Sequence, residues 1–312
     1  MKSRAACFTV LCLVSFVAAF AQGRGNKGGN RVPATDTVAP AIPGVVTAGT
    51  KVTVIKDGFE NTEGPITLPD GSLIFTETRG SRITKIDKDN NISTFLENTN
   101  RSNGLGFDSK GRLISVQATT VGVIYPKGSE AVLAGPLESR PNDLVVSSKD
   151  GVYFTLPGAK PPAVYYIAPG GKPVVAAEAP SPHGIQLSPD EKVLYSADSH
   201  GESLVAFDVQ SDGRLTNRHN FGRYAGVTKT GDGFNSSADG IAVDSEGRVY
   251  VGTLQGVQVF SAQGQHLGLI PVSQRPQNLA FAGPDKKTLY ITGQGAVYRL
   301  QMLSQGYKGR AK

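Results

Sequence analysis

The stretch Ser237-Ala238-Asp239-Gly240-Ile241-Ala242-Val243-Asp244-Ser245-Glu246-Gly247-Arg248-Val249-Tyr250-Val251-Gly252 decides the fold of this chain. It runs from an acidic residue into a short strand around Ile241 and Val243, through an Asp-x-x-Gly turn, and back along Val249 to Val251. The turn follows from side-chain chemistry: carboxylate oxygens hold a tight loop, and Gly247 accepts a positive φ without a Cβ clash.

The phrase occurs in six variants, beginning at Glu63, Asn103, Asn142, His183, Asp239 and Gln277, with starts 40, 39, 41, 56 and 38 residues apart. The long interval holds an insertion of roughly 16 residues within Asn217–Ser236, readable as a lid beside Asp239 or as a solvated connection. Each period carries short strand patterns. In the second copy they are Leu105–Phe107, Leu113–Val116, Val121–Tyr125 and Ala131–Ala134; in the third, Leu144–Val146, Val152–Thr155, Val164–Ile167 and Val174–Ala177. No window carries a sustained 3.6-residue apolar stripe, so helix is nearly absent. Four strands every 40 residues or so make a propeller blade. The chain is therefore expected to be all-β, a six-bladed β-propeller of four antiparallel strands per blade over 51–301. The sixth copy supplies only three strands, and Lys51–Ile55 is left unpaired ahead of the first. Docked as the outer strand of the last blade, it closes the ring and removes an open edge.

The ends carry an address. Lys2 and Arg4, an apolar run from Ala5 to Phe20 and a small-x-small site at Ala19-Phe20-Ala21 make residues 1–21 an export signal. A periplasmic or secreted protein is expected, with no membrane attachment after cleavage. Cys7 and Cys12 both lie in the signal, so the mature chain has no disulfide and no thiol chemistry. Residues 22–50, rich in Gly, Asn, Pro and Thr, are expected to be a disordered leader, and 302–312 a polar tail. Removing Lys2 and Arg4 lowers the net charge from +6 to +4, and several remaining cations sit in the tails. No basic stripe interleaves with aromatics, so nucleic acid is not an expected partner. No Gly-x-Ser-x-Gly elbow occurs, and four histidines leave little room for a Ser-His-Asp site.

In a propeller the first strand of each blade lines the central channel, so Glu63, Asn103, Asn142, His183, Asp239 and Gln277 share one ring. All six are polar. Buried unpaired they would be costly, and the two carboxylates would repel. A divalent cation relieves both problems, and a mostly oxygen donor set suits a hard one. A hydrogen-bonded ring with channel waters is the plainer alternative.

Glu63-Gly64-Pro65, Arg140-Pro141-Asn142-Asp143, Gly184-Ile185-Gln186-Leu187-Ser188-Pro189-Asp190, Asp239-Gly240-Ile241-Ala242-Val243-Asp244 and Asp212-Gly213-Arg214-Leu215-Thr216-Asn217-Arg218 together resemble the regucalcin/gluconolactonase family of propellers, over about 55 to 300. The resemblance implies a divalent-metal-dependent lactone hydrolase acting on a small-molecule lactone or sugar-acid derivative. It assigns Glu63, Asn142 and Asp239 to the metal, makes Asp239 the general base, and gives substrate contacts to Arg140, with Asn103 beside it. The family's second asparagine ligand is His183 here. As a ligand, histidine favours Zn²⁺ or Mn²⁺ over Ca²⁺, with Mg²⁺ a further candidate cation; as a free imidazole it serves as base or proton shuttle. The cation would polarise the lactone carbonyl while Asp239 takes a proton from water. Two other readings stand beside this one: a non-catalytic propeller binding a ligand or partner at the same mouth, and a strictosidine-synthase-like chemistry on the same scaffold.

Overall fold

The computed structural model describes residues 32–310 and 312; residues 1–21, expected to be an export signal, and residues 22–31 of the expected leader lie outside them. Ala34–Lys312 form one compact unit. No helix occurs among the described residues. Six antiparallel sheets form the blades; the first five are each built from consecutive strands, and the sixth joins strands from the two ends of the described chain. Blade 1 is Thr62–Thr67, Leu73–Glu77, Arg82–Ile86 and Ile92–Glu97. Blades 2 to 5 open with Leu105–Phe107, Leu144–Val146, Pro182–Leu187 and Ile241–Val243. Blade 6 is Asn278–Ala282, Thr288–Gly293 and Ala296–Gln301, and Lys51–Lys56 pairs with the last of these as the outer strand. The strands of the second copy lie where the sequence pattern put them, and those of the third agree to within a residue at the ends.

The inner strands are buried on both faces, which is why their apolar runs are almost unbroken. Leu144 and Val146 pack against blade 2 with Val116 and Phe154, while Val145 between them packs towards blade 4 with Tyr153, Ile185 and Phe207. One strand therefore feeds two inter-blade cores, because successive side chains point to opposite faces. The turns repeat one chemistry. Asp108 Oδ1 accepts from the backbone N of Lys110 (3.0 Å) and Arg112 (2.8 Å), and the Arg112 guanidinium bonds Oδ2. Asp244 does the same with Glu246, Arg248 and its guanidinium. Gly111 and Gly247 take φ of 71° and 78° to complete the loops.

Two expectations about the ends are corrected. Residues 34–50 are ordered: Thr37–Val38 adds a further strand to blade 6, and Ala39, Ile42, Val45 and Val46 join the core of blades 5 and 6. Composition misled because these few apolar residues follow no strand or helix period, and each finds its partner on distant blades. Nor are residues 302–310 a solvated tail. Met302 and Ser304 are buried, Gly306 bridges to Asp244, and the Arg310 guanidinium bonds the carbonyls of Leu187 and Ser188.

Candidate active site at the channel mouth

Each copy brings its first residue to the channel, and contacts between neighbouring blades join the six into a ring. Starting from Glu63, a Cβ on Gly64 would touch the Asn103 carbonyl oxygen, and Gly104 N donates to the Asn142 carbonyl (3.2 Å). Asn142 N donates to the Thr155 carbonyl (3.0 Å), and the Thr155 hydroxyl donates to the His183 carbonyl (2.6 Å). Gly184 abuts the Asp239 carbonyl, Gly240 N donates to the Gln277 carbonyl (2.7 Å), and Gln277 Nε2 donates to Glu63 Oε1 (3.0 Å). Glu63, Asn103, Asp239 and Gln277 are buried; Asn142 and His183 are half-buried.

The ring is electrostatically under tension. Burial pushes the Glu63 carboxyl well above its ordinary range, and the Asp239 and Asp143 carboxylates push it further. Burial raises Asp239 too, opposed by His183 and by Arg275, whose Nη1 lies 3.4 Å from Oδ2. Asp239 Oδ1 and Asn103 Oδ1 are buried acceptors without a hydrogen-bond partner. His183 Nδ1 lies 3.1 Å from the Ser181 carbonyl. A carbonyl only accepts, so Nδ1 carries the proton in the neutral ring and Nε2 keeps its lone pair. Arg140 bonds the Arg101 carbonyl through Nη2 (3.1 Å), and its buried Nε has no partner. Burial, then the Arg101 charge, lowers its pKa, while Glu63 opposes them. The six leading residues thus meet in one ring, and Arg140 is anchored to the loop that carries Arg101, two residues before Asn103.

Three residues escaped the sequence reading. One position below the ring the copies read Gly64, Gly104, Asp143, Gly184, Gly240 and Asn278. Four glycines leave space for two side chains, and these meet: Asn278 Nδ2 is 3.3 Å from Asp143 Oδ2 and 3.5 Å from Glu63 Oε2. A Cβ on Gly104 would sit 2.3 Å from Asp143 Oδ1, and one on Gly240 2.2 Å from Asn278 Oδ1. The third is Arg275. Its signal was present, since Arg275-Pro276-Gln277-Asn278 repeats Arg140-Pro141-Asn142-Asp143 three blades away.

The insertion after blade 4 divides in two. Leu215–Arg223 extends the outer strand, and Lys229–Thr230 pairs with Gly233–Phe234 as a hairpin fastened by Phe234 N to the His200 carbonyl (2.8 Å). Between hairpin and blade 4 is a cavity of about 590 Å³ bearing Ser181, Asp198, His200, Glu202 and Asp232. A larger one, about 1150 Å³, is lined by the far ends of the inner strands and by Lys308, Arg310 and Lys312.

Fold and site together define a six-bladed propeller with a polar, carboxylate-bearing channel mouth. The chain belongs to the SMP-30/gluconolactonase/LRE-like family, whose model matches residues 61–295. A gluconolactonase of Zymomonas mobilis is 23% identical, with 91% of this chain and 90% of that one aligned. Among solved structures, a Xanthomonas campestris gluconolactonase superposes with a TM-score of 0.75 at 24% identity, covering 89% of this chain and 99% of that one. Regucalcin of Agrobacterium tumefaciens, described as a calcium-binding protein, superposes at 0.70 and 18% identity, covering 81% and 94%.

Proposed function

We propose that this chain is an exported lactone hydrolase whose site is completed by one divalent cation. Lactone hydrolysis has the support of the family and of the gluconolactonase relative; export rests on the pattern of residues 1–21. The observation that carries the mechanism is Asp239: Oδ2 is tied to Arg275, and the buried Oδ1 has no partner within the protein.

The donor set fits a hard cation. Orphaned oxygens on Asp239 and Asn103, and a Glu63 strained towards protonation, are the surroundings a dication would relieve. Among the described residues no three His, Cys, Asp or Glu side chains are grouped to hold a metal on their own. Glu63 and Asp239 would therefore share the cation with the Asn142 amide, with His183 Nε2 and with water. Ca²⁺, Zn²⁺, Mn²⁺ and Mg²⁺ all remain candidates, and a ligating His183 favours Zn²⁺ or Mn²⁺. Bound there, it supplies Lewis-acid polarisation of the lactone carbonyl.

The chain's own groups do the rest. Arg140 and Asn103 orient the substrate oxygens at the blade 2 and 3 side of the mouth. Asp239 Oδ1 accepts a proton from water as the water oxygen bonds to the carbonyl carbon. The ring C–O bond then breaks, and the proton passes from Asp239 to the departing alkoxide, giving the hydroxy acid.

The test is an aldonolactone assay after chelation, then with each cation restored, repeated on Asp239→Asn. Activity should vanish with chelator, return with a cation, and fall by roughly 10²- to 10⁴-fold in Asp239→Asn. Activity indifferent to chelator or to Asp239→Asn would sink the mechanism. Lactone binding without turnover would point to the non-catalytic reading.

A further inference from the structure

Buried lysines are rare unless paired, because an ammonium leaves water at high cost. Lys312 is such a residue. Its Nζ lies 2.5 Å from Asp143 Oδ2, and both side chains are almost wholly buried. The route that delivers it is built, residue by residue, along the underside of the propeller. Met302 N bonds the Lys287 carbonyl (2.8 Å), Gly306 N the Lys286 carbonyl (2.8 Å), and Tyr307 N the Val243 carbonyl (3.3 Å). Arg310 then crosses to blade 4, where Nη1 pairs with Glu191 (3.0 Å) and Nη2 bonds the Leu187 carbonyl (2.6 Å). Two residues on, Lys312 reaches Asp143 of blade 3.

Asp143 is also one end of the contact through Asn278 to Glu63. The channel thus holds three carboxylates, Glu63, Asp143 and Asp239, and two cations stand against them: Arg275 on Asp239 and Lys312 on Asp143. Glu63 has the Gln277 and Asn278 amides as its hydrogen-bond partners, and Arg275 acts on it only through its charge. A single dication at the mouth would more than offset that remaining charge. With Lys312 absent, Asp143 would be a second uncompensated carboxylate directly beneath it.

We propose that Lys312 is a tethered counter-ion, brought into the lower channel behind the anchored segment Met302–Arg310, that occupies the place of a second cation and sets the charge under the mouth. It is a positioning residue: it acts on the site through Asp143 and Asn278. The link to cation affinity rests on the proposed function; the pairing with Asp143 does not.

Two measurements on the full chain test it. The first is a cycle of thermal melts in chelator, comparing wild type, Lys312→Met, Asp143→Asn and the double variant. Removing one partner strands a buried charge, so each single variant should melt early and the double variant should recover most of the loss. Additive losses would overturn the pairing. The second is calorimetric titration with Mn²⁺. Loss of a positive charge under the site should tighten cation binding by about tenfold or add a second binding event, and Lys312→Arg should titrate like wild type. Unchanged affinity and stoichiometry in Lys312→Met, with wild type binding normally, would overturn the counter-ion role. If wild type binds no Mn²⁺, Ca²⁺ or Zn²⁺, the cation reading of the mouth fails, and the melts alone decide the pairing.

Discussion

Asn278 reaches across the channel to Asp143, with Nδ2 3.3 Å from Oδ2, from the matching position three blades away. The same amide lies 3.5 Å from Glu63 Oε2, so the mouth and the layer beneath it are joined through one side chain. The crossing exists because four of the six residues in that layer are glycines.

Gly104→Ala and Gly240→Ala should therefore damage the site more than any surface glycine would. Each Cβ would fall within 2.3 Å of a carboxylate or amide oxygen that has nowhere to retreat. A loss of about 2–3 kcal/mol is expected from such overpacking, read by chemical denaturation, with activity falling further than stability.

Glu63→Gln should stabilise the protein in chelator while abolishing lactone hydrolysis. Its folded pKa lies above the unfolded value, so the carboxyl favours folding at acid pH and loses that contribution as pH rises through the window between the two. The advantage of the Gln variant should be small near pH 4 and grow as the pH rises towards neutrality. Melts across pH 4 to 8 would check it; an advantage independent of pH would refute it.

His183→Asn should restore an all-oxygen donor set. Since Nδ1 is fixed on the Ser181 carbonyl, only Nε2 is available to a cation. The variant should bind Ca²⁺ more tightly relative to Zn²⁺ by roughly tenfold or more, measured by competitive titration. Unchanged selectivity with reduced turnover would assign His183 to proton transfer.

Lys286 lies beneath blade 6, where burial, then the Arg310 charge, lowers its pKa to about 8. Below pH 8 it is charged in both folded and unfolded chains, and the burial penalty is complete. Between pH 8 and its ordinary value the folded chain sheds the proton first, so stability rises with pH. Wild type should gain on Lys286→Met by up to about 3 kcal/mol over that interval, measured by denaturant melts of both proteins.

The blades were legible because a propeller is a local repeat. Asp108 and Asp244 fasten their turns with groups two and four residues away, and Leu144 to Val146 declare a doubly buried strand by composition alone. The ring was legible for the same reason, since equivalent positions in a closed repeat must face one axis. What composition could not reveal was order in residues 34–50 and 302–310. Ile42 packs into the core of blades 5 and 6, and Arg310 bonds blade 4, so neither partner lies within any sequence window.

The sequence by itself determined the number of blades, the ring of six polar residues and the placing of Asp239 at its head. Only the tertiary structure decided how those charges are balanced: Arg275 on Asp239, Asn278 between Asp143 and Glu63, and Lys312 on Asp143, a contact spanning 169 residues. The physical reason is range. Strand, turn and repeat are settled by neighbours along the chain, whereas the charge of a buried carboxylate is settled by whatever the closed ring brings within a few ångströms of it.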